Sequence, residues 1–220
     1  MSGKIRAVIF DLDGVLVDSE QVWDAARRQL TEDSGGRWSE SATQDMMGMS
    51  STEWSRYMHE VLGVKLPSEE ISAAVVKRME GLYREHLPLI PGACEAVAWV
   101  AARWPLGLAS SANRPVIEVV LELSGLGGFF ETTVSSEEVA RGKPAPDVYL
   151  EAARRLRVDP VLCAAVEDSS SGILSAHAAG MRVVAIPNRT FPPSEEALEA
   201  ADAAIPSLQE LYQEVIDSGS

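Results

Sequence analysis

Two hydrophobic rhythms divide this chain. The first is a short run, Ile5-Arg6-Ala7-Val8-Ile9-Phe10, β-branched and almost purely apolar, which predicts a strand buried on both faces of a parallel sheet. The second rhythm takes over beyond it. Apolar residues recur at helical spacing, as at Ile71, Val75, Met79 and Leu82, and predict helices over 21–31, 39–47, 51–62 and 67–86, with Ser19 capping the first. No strand pattern interrupts this stretch, which is far longer than a crossover between strands needs. It reads as a helical unit inserted after the first strand.

The pattern changes again at Leu87-Pro88-Leu89-Ile90-Pro91-Gly92, where two prolines and a glycine mark a boundary. From there helices and strands alternate. Helices are expected over 93–103, 115–124, 147–156, 172–179 and 207–216, and strands over 106–109, 132–135, 161–166, 182–186 and 203–205. The alternation predicts a doubly wound α/β core, a parallel sheet with helices on both faces, formed by residues 1–15 and 88–220. Residues 16–87 would be a helical cap carried on two linkers, near 15–18 and 86–91. The stretch from Phe191-Pro192-Pro193 to Glu199 reads as a surface loop with a helical turn.

Composition narrows the partners. The 220 residues are 46% hydrophobic and contain no low-complexity tract, enough for one large core with a smaller insertion. A formal net charge of −14 argues against nucleic acid or an anionic membrane as partner, so an anionic substrate has to be captured by local cations. The start, Met1-Ser2-Gly3-Lys4, lacks the apolar stretch of a signal peptide, and no apolar run approaches the ~20 residues of a membrane span. Cys94 and Cys163 form no CxxC and read as buried thiols of a reducing compartment, which makes a soluble cytoplasmic protein, a monomer or weak dimer, the expectation.

The chemistry begins where the first strand ends, at Asp11-Leu12-Asp13-Gly14. In extended chain, residues i and i+2 point the same way, so Asp11 and Asp13 can face one site. Like charges at ~4 Å and an effective dielectric of ~20 repel by roughly 4 kcal/mol, so a cation or a shared proton has to relieve them. A plain turn, with Asp bonding nearby backbone and Gly supplying positive φ, is the competing reading. Three further segments add polar groups. Ser110-Ser111-Ala112-Asn113 follows a strand and opens a helix, as an anion seat or a simple N-cap would. Arg141-Gly142-Lys143-Pro144-Ala145-Pro146-Asp147 holds a lysine on a stiff loop, and Glu167-Asp168-Ser169 ends another apolar strand with adjacent carboxylates.

The order of these segments resembles the haloacid dehalogenase-like superfamily of phosphohydrolases, in the branch of β-phosphoglucomutase and phosphoglycolate phosphatase. The likeness spans essentially the whole chain, through Asp11–Glu20, Ala109-Ser110-Ser111, Gly142–Asp147 and Glu167-Asp168-Ser169, with the helical insertion where this branch carries its cap. The resemblance implies Asp11 as nucleophile, forming an aspartyl-phosphate, and Asp13 as the acid and base serving leaving alcohol and water. It implies Mg²⁺ held by Asp11, the backbone carbonyl of Asp13 and Asp168, with Glu167 a direct or water-bridged ligand. Ser110 would bond the transferring phosphoryl group and Lys143 neutralise its oxygens and Asp11.

Departures from the family pattern bear on the substrate. Asp13 argues against a true dehalogenase, which has no leaving alcohol to protonate. Trp23 stands where the mutase carries a histidine, and Ser51 near where its cap offers an arginine; Arg114 or Arg56 could compensate. The expected activity is hydrolysis of a small phosphorylated metabolite, a sugar phosphate for example, with a phosphosugar mutase as alternative and a receiver-like signalling domain as a more distant one. Ser111, Asn113, Trp23, Met49 and Ser51 are the expected substrate contacts, although Trp23 and the methionines could equally pack the cap. His59, His86 and His177 belong to no motif.

Overall fold

The computed structural model describes residues 4–46 and 49–217. Its centre is β1 (Ala7–Phe10), every residue of which is buried. Successive side chains feed opposite layers: Ala7 and Ile9 join one apolar cluster, Val8 and Phe10 the other. That division explains the uninterrupted hydrophobicity of the strand. β2 (Leu106–Ser110), β3 (Phe130–Ser135), β4 (Cys163–Glu167), β5 (Arg182–Ala185) and β6 (Ala203–Ala204) complete a parallel sheet in the order β3-β2-β1-β4-β5-β6.

Between β1 and β2 run α1 (Glu20–Asp33), α2 (Ala42–Met46), α3 (Ser51–Glu60), α4 (Ser68–Glu85) and α5 (Ala93–Ala101). α5 and α6 (Arg114–Ser124) contribute to the cluster that holds Val8 and Phe10, whereas α7 (Asp147–Leu156), α8 (Ser170–Ala178) and α9 (Glu195–Ala200) contribute to the other. The sheet thus carries helices on both faces. α1, α3 and α4 pack together, and α4 also lies against α6, where Arg84 pairs with Glu122 at 3.3 Å. Trp23, Trp54, Met79 and Tyr83 belong to the same continuous apolar cluster as Phe10. The chain leaves and re-enters the sheet along two adjacent strands of linker, joined by Asp18 N–H donating to the Pro88 carbonyl and Ile90 N–H to that of Leu16, each at 2.9 Å.

The elements depart from expectation in a few places, each with a local cause. The strand foreseen over 161–166 starts at Cys163, because Asp159 caps Val161 N–H and Pro160 opens a 3₁₀ turn, Pro160–Leu162. The helix foreseen over 207–216 is broken into a 3₁₀ turn, Leu208–Glu210, and α10 (Gln213–Asp217). Leu208, Leu211 and Ile216 are all buried, and the five-residue step from Leu211 to Ile216 does not fit one helical face. The second helix starts at Ala42 rather than 39, and its foreseen end at Met47 lies outside the described residues. Ser19 occupies the N-cap position of α1 but has helical backbone angles and makes no capping bond. Glu53 caps α3 instead of its neighbours' side chains, accepting from the Ser50 N–H at 2.8 Å and the Ser50 hydroxyl at 2.7 Å. No described helix is long and apolar enough to cross a membrane.

Candidate active site

The strand order places the polar segments. In parallel sheets, sites form beyond the carboxyl ends of strands where the order reverses, here between β1 and its neighbours. Phe10 is in register with Leu108 of β2 and Val166 of β4, so the residues that follow emerge side by side. Asp11 N–H donates to the Val166 carbonyl at 3.0 Å, which ties the first carboxylate to the strand carrying Glu167.

Lys143 joins them. From the loop before α7 its Nζ donates to Asp11 Oδ1 at 2.6 Å, Glu167 Oε1 at 2.6 Å and the Ala109 carbonyl at 3.1 Å. All three charged side chains are almost sealed from solvent, at 3% exposure for Lys143, 7% for Asp11 and 0% for Glu167. Such an ammonium loses its hydration and is held by its two carboxylates, which raise its pKa against the opposing effect of burial. Glu167 is saturated. Its Oε1 also accepts from the Tyr149 hydroxyl at 2.8 Å, and its Oε2 from the Asp168 N–H at 3.0 Å and from the Ser169 N–H and hydroxyl, both at 3.2 Å.

Asp11, Glu167 and Asp168 can bring one carboxylate oxygen each within 4.8 Å of one another. Burial pushes the Asp11 carboxyl up to about 8, with Glu167 and Asp13 adding to the effect and Lys143 opposing it. Burial likewise raises Asp168 well above the carboxylate range, reinforced by Glu167 and Asp11. Three carboxylates against one ammonium leave a net charge of −2 when all are ionised, the charge that one divalent cation cancels. Hard oxygen donors in that arrangement suit a small divalent ion. Two glycines keep the cluster this tight. A Cβ on Gly14, whose φ is +80°, would fall 1.9 Å from Asp168 Oδ2, and one on Gly172 would fall 1.7 Å from Glu167 Oε1.

Asp13 stands at the mouth of the cluster, accepting from Trp23 Nε1 at 3.2 Å and from the Ser110 hydroxyl at 3.4 Å. Ser110 is fully buried, and its oxygen accepts the Ala112 N–H at 3.0 Å. Beyond them opens a cleft of about 130 Å³, walled on the sheet side by Asp11, Asp13, Lys143, Asp168 and Ser111 and on the helical side by residues of α1, α2 and α3. Of the expected substrate contacts, Trp23, Met49 and Ser111 line this cleft. Asn113 and Ser51 are placed elsewhere: both face Glu137, with Asn113 Nδ2 at 2.6 Å and the Ser51 hydroxyl at 3.5 Å from its Oε1.

Among the wall residues that sequence reasoning passed over are Glu20, Arg27, Trp54, Asn188 and Phe191. Arg27 lies four residues after Trp23, one helical turn, and that spacing was the available signal. Phe191 opens the stretch read as a surface loop with a helical turn and given no function. Neither proposed compensating arginine reaches the cleft: Arg114 is bound to Thr133 and Glu138, and Arg56 is exposed.

A family model of haloacid dehalogenase-like hydrolases matches residues 5–180. The chain belongs to that family. It is 35% identical over 211 residues to Hexitol phosphatase B of Escherichia coli (strain K12), covering 94% of this chain and 95% of that protein. It is 32% identical over 209 residues to a phosphorylated carbohydrates phosphatase of Thermotoga maritima, covering 94% and 96%. Its fold is similar to that of CbbY from Rhodobacter sphaeroides, solved in complex with xylulose-(1,5)-bisphosphate, with a TM-score of 0.87 at 26% identity over 97% of this chain and 100% of that one.

Proposed function

We propose that this chain is a Mg²⁺-dependent phosphatase that hydrolyses a small phosphorylated metabolite of the sugar-phosphate class through an aspartyl-phosphate on Asp11. The observation that carries this reading is Lys143, buried and bonded at 2.6 Å to both Asp11 and Glu167, with Asp168 completing an acidic trio at the end of β4. A salt bridge kept only for stability gains little from being buried. An activated nucleophile needs that arrangement.

The proposed steps follow from the positions. Asp11 attacks phosphorus through a carboxylate oxygen as the ester P–O bond breaks, and Asp13 gives a proton to the departing alkoxide. Water then enters the alcohol's place, loses a proton to Asp13 and attacks phosphorus, which breaks the bond to Asp11 and frees phosphate. Lys143 compensates the charge of Asp11 and of the phosphoryl oxygens, and the Ser110 hydroxyl is within reach of the same group. Asp11, the backbone carbonyl of Asp13 and Asp168 would hold Mg²⁺. When bound, the ion supplies charge stabilisation to the transferring phosphoryl group. Glu167 already accepts five hydrogen bonds, which favours a role through water or by positioning Lys143 over direct ligation. Residues 16–87 are proposed as a cap over a core of 1–15 and 88–220; closure on the paired linkers would exclude water from the cleft.

Two features run against a phosphosugar mutase. Trp23 offers Asp13 an indole N–H, which cannot exchange a proton as a histidine can, and neither Arg114 nor Arg56 meets a second phosphate. A cytoplasmic location is proposed from the two free cysteines, and a monomer or weak dimer remains the proposed assembly. The test is phosphate release from a broad panel of monoesters, with Mg²⁺ and with chelator. Metal-dependent turnover that disappears in Asp11→Asn is expected. Retained turnover in that variant would refute the nucleophile, and conversion of a hexose 1-phosphate to its 6-phosphate without phosphate release would restore the mutase.

A further inference from the structure

Glu20 and Arg27 sit seven residues apart on α1, on one face of the helix, and both line the cleft that holds Asp11. Neither side chain makes a hydrogen bond or ion pair among the described residues, and Arg27 Nε is buried with no acceptor. The guanidinium is held by aromatic faces, 4.8 Å from the Trp23 ring and 5.0 Å from that of Trp54. Stacking fixes its plane but satisfies none of its N–H groups.

Two of the other carboxylates nearby are already committed, and a third, Asp18, is exposed. Asp24 accepts from Thr43, and Asp13 from Trp23 and Ser110. Glu20 therefore remains as the nearby free acceptor and Arg27 as the matching donor. Burial pulls the Arg27 pKa down only to about 10, so the group stays charged at neutral pH. An unpaired buried donor such as Arg27 Nε is costly unless a ligand completes it.

We infer that Glu20 and Arg27 form a subsite reading the hydroxyl groups on the non-phosphoryl end of the substrate, which is a neutral polyhydroxylated chain or ring. The inference rests on the phosphatase reading above and deepens it. A hydroxyl can donate to the Glu20 carboxyl and accept from Arg27 at the same time. A second phosphate or carboxylate would satisfy Arg27 but stand against Glu20 and Asp13. The two protein charges are opposite, so this end of the cleft has no net cation to reward a distal anion. The indoles and the methionines of the wall leave room for the carbon skeleton, within a cleft that admits a small metabolite only.

The test compares kcat/KM for sorbitol 6-phosphate, hexyl phosphate and fructose 1,6-bisphosphate in wild type, Arg27→Met, Arg27→Lys and Glu20→Gln. Wild type is expected to favour the hexitol ester over both others by about 100-fold, the scale on which sites built for hydroxyls reject analogues lacking them. Arg27→Met should cut the hexitol-to-hexyl ratio by about 30-fold, mainly through KM, and Arg27→Lys by less, since it keeps the charge and loses the planar fork. A ratio that stays the same in Arg27→Met and Glu20→Gln overturns the subsite, as does a wild type that prefers the bisphosphate and loses that preference in Arg27→Met. Calorimetric binding of sorbitol 6-phosphate to Asp11→Asn, with and without Arg27→Met, separates recognition from turnover. An affinity that falls by about 10-fold with Arg27→Met is expected even in this variant without the Asp11 nucleophile, and an unchanged affinity refutes the subsite.

Discussion

The two ends of the cleft are built on opposite principles. At the sheet end, Lys143, Glu167, Asp11 and Asp168 are locked by strand register, backbone N–H groups and two glycines that leave no room for a methyl group. At the helical end, Glu20 and Arg27 line the cleft without a hydrogen bond or ion pair among the described residues, and Arg27 Nε is buried with no acceptor. A saturated network costs no reorganisation when charge develops on a reacting group, which is what phosphoryl transfer demands. Unsatisfied groups instead make affinity depend on what the ligand brings, which is how discrimination is achieved. On the reading proposed above, the sheet sets the chemistry and the insertion sets the selection.

The sharpest break in this comparison is Asp11→Asn. It should lower turnover by about 10⁴-fold or more for every ester alike, measured as steady-state phosphate release, while leaving the melting temperature close to wild type or higher. A loss confined to some esters would move Asp11 to the selective end. Next in size is Gly172→Ala. Its methyl group would occupy the space of the Glu167 carboxylate, so a fall of roughly 100-fold in kcat together with a lower melting temperature is expected. Wild-type kinetics in Gly172→Ala would mean that the carboxylate has freedom the geometry denies.

A third contrast is metal and pH. The Asp11 carboxyl is pushed up to about 8 in the folded protein, against about 3.9 for an ordinary aspartate. Between those values the metal-free folded chain binds a proton that the unfolded chain does not, so its stability should decline as pH rises from about 4 to about 8. A divalent ion needs the ionised carboxylates and displaces that proton. The rise in melting temperature on adding Mg²⁺ should therefore be larger near pH 8 than near pH 5, and an equal rise at both would contradict it. The smallest effect belongs to Ser51→Ala. Its hydroxyl faces Glu137 at 3.5 Å, outside the cleft walls, so kcat/KM should move by no more than about twofold for any ester.

Much of the sheet end could be read from the chain because its information is local. An apolar strand followed at once by Asp11-Leu12-Asp13-Gly14, or by Glu167-Asp168, already states that carboxylates stand at a strand terminus. Helix α7 was placed to the residue because Pro146 and Asp147 start it unambiguously. The helical end was far less legible. Arg27 lies among Ala25, Ala26, Arg28 and Gln29 in an ordinary amphipathic pattern, and only its one-turn spacing from Trp23 separates it from a solvated arginine. Arg114 was named as an arginine that could compensate for the one the cap lacks, yet Thr133 and Glu138 claim it.

The sequence by itself determined most of the strands and helices, and that three strand ends and one stiff loop carry the clustered polar groups, because these are matters of period and adjacency. The family resemblance already paired Lys143 with Asp11; tertiary structure alone decided that Lys143 also bonds Glu167, that Glu167 is saturated by five donors, and that Glu20 and Arg27 face the same cleft with no hydrogen bond or ion pair among the described residues. Each of these depends on the crossing of elements distant in the chain. Side-chain periodicity records that a residue is buried or exposed, but not which neighbour it meets.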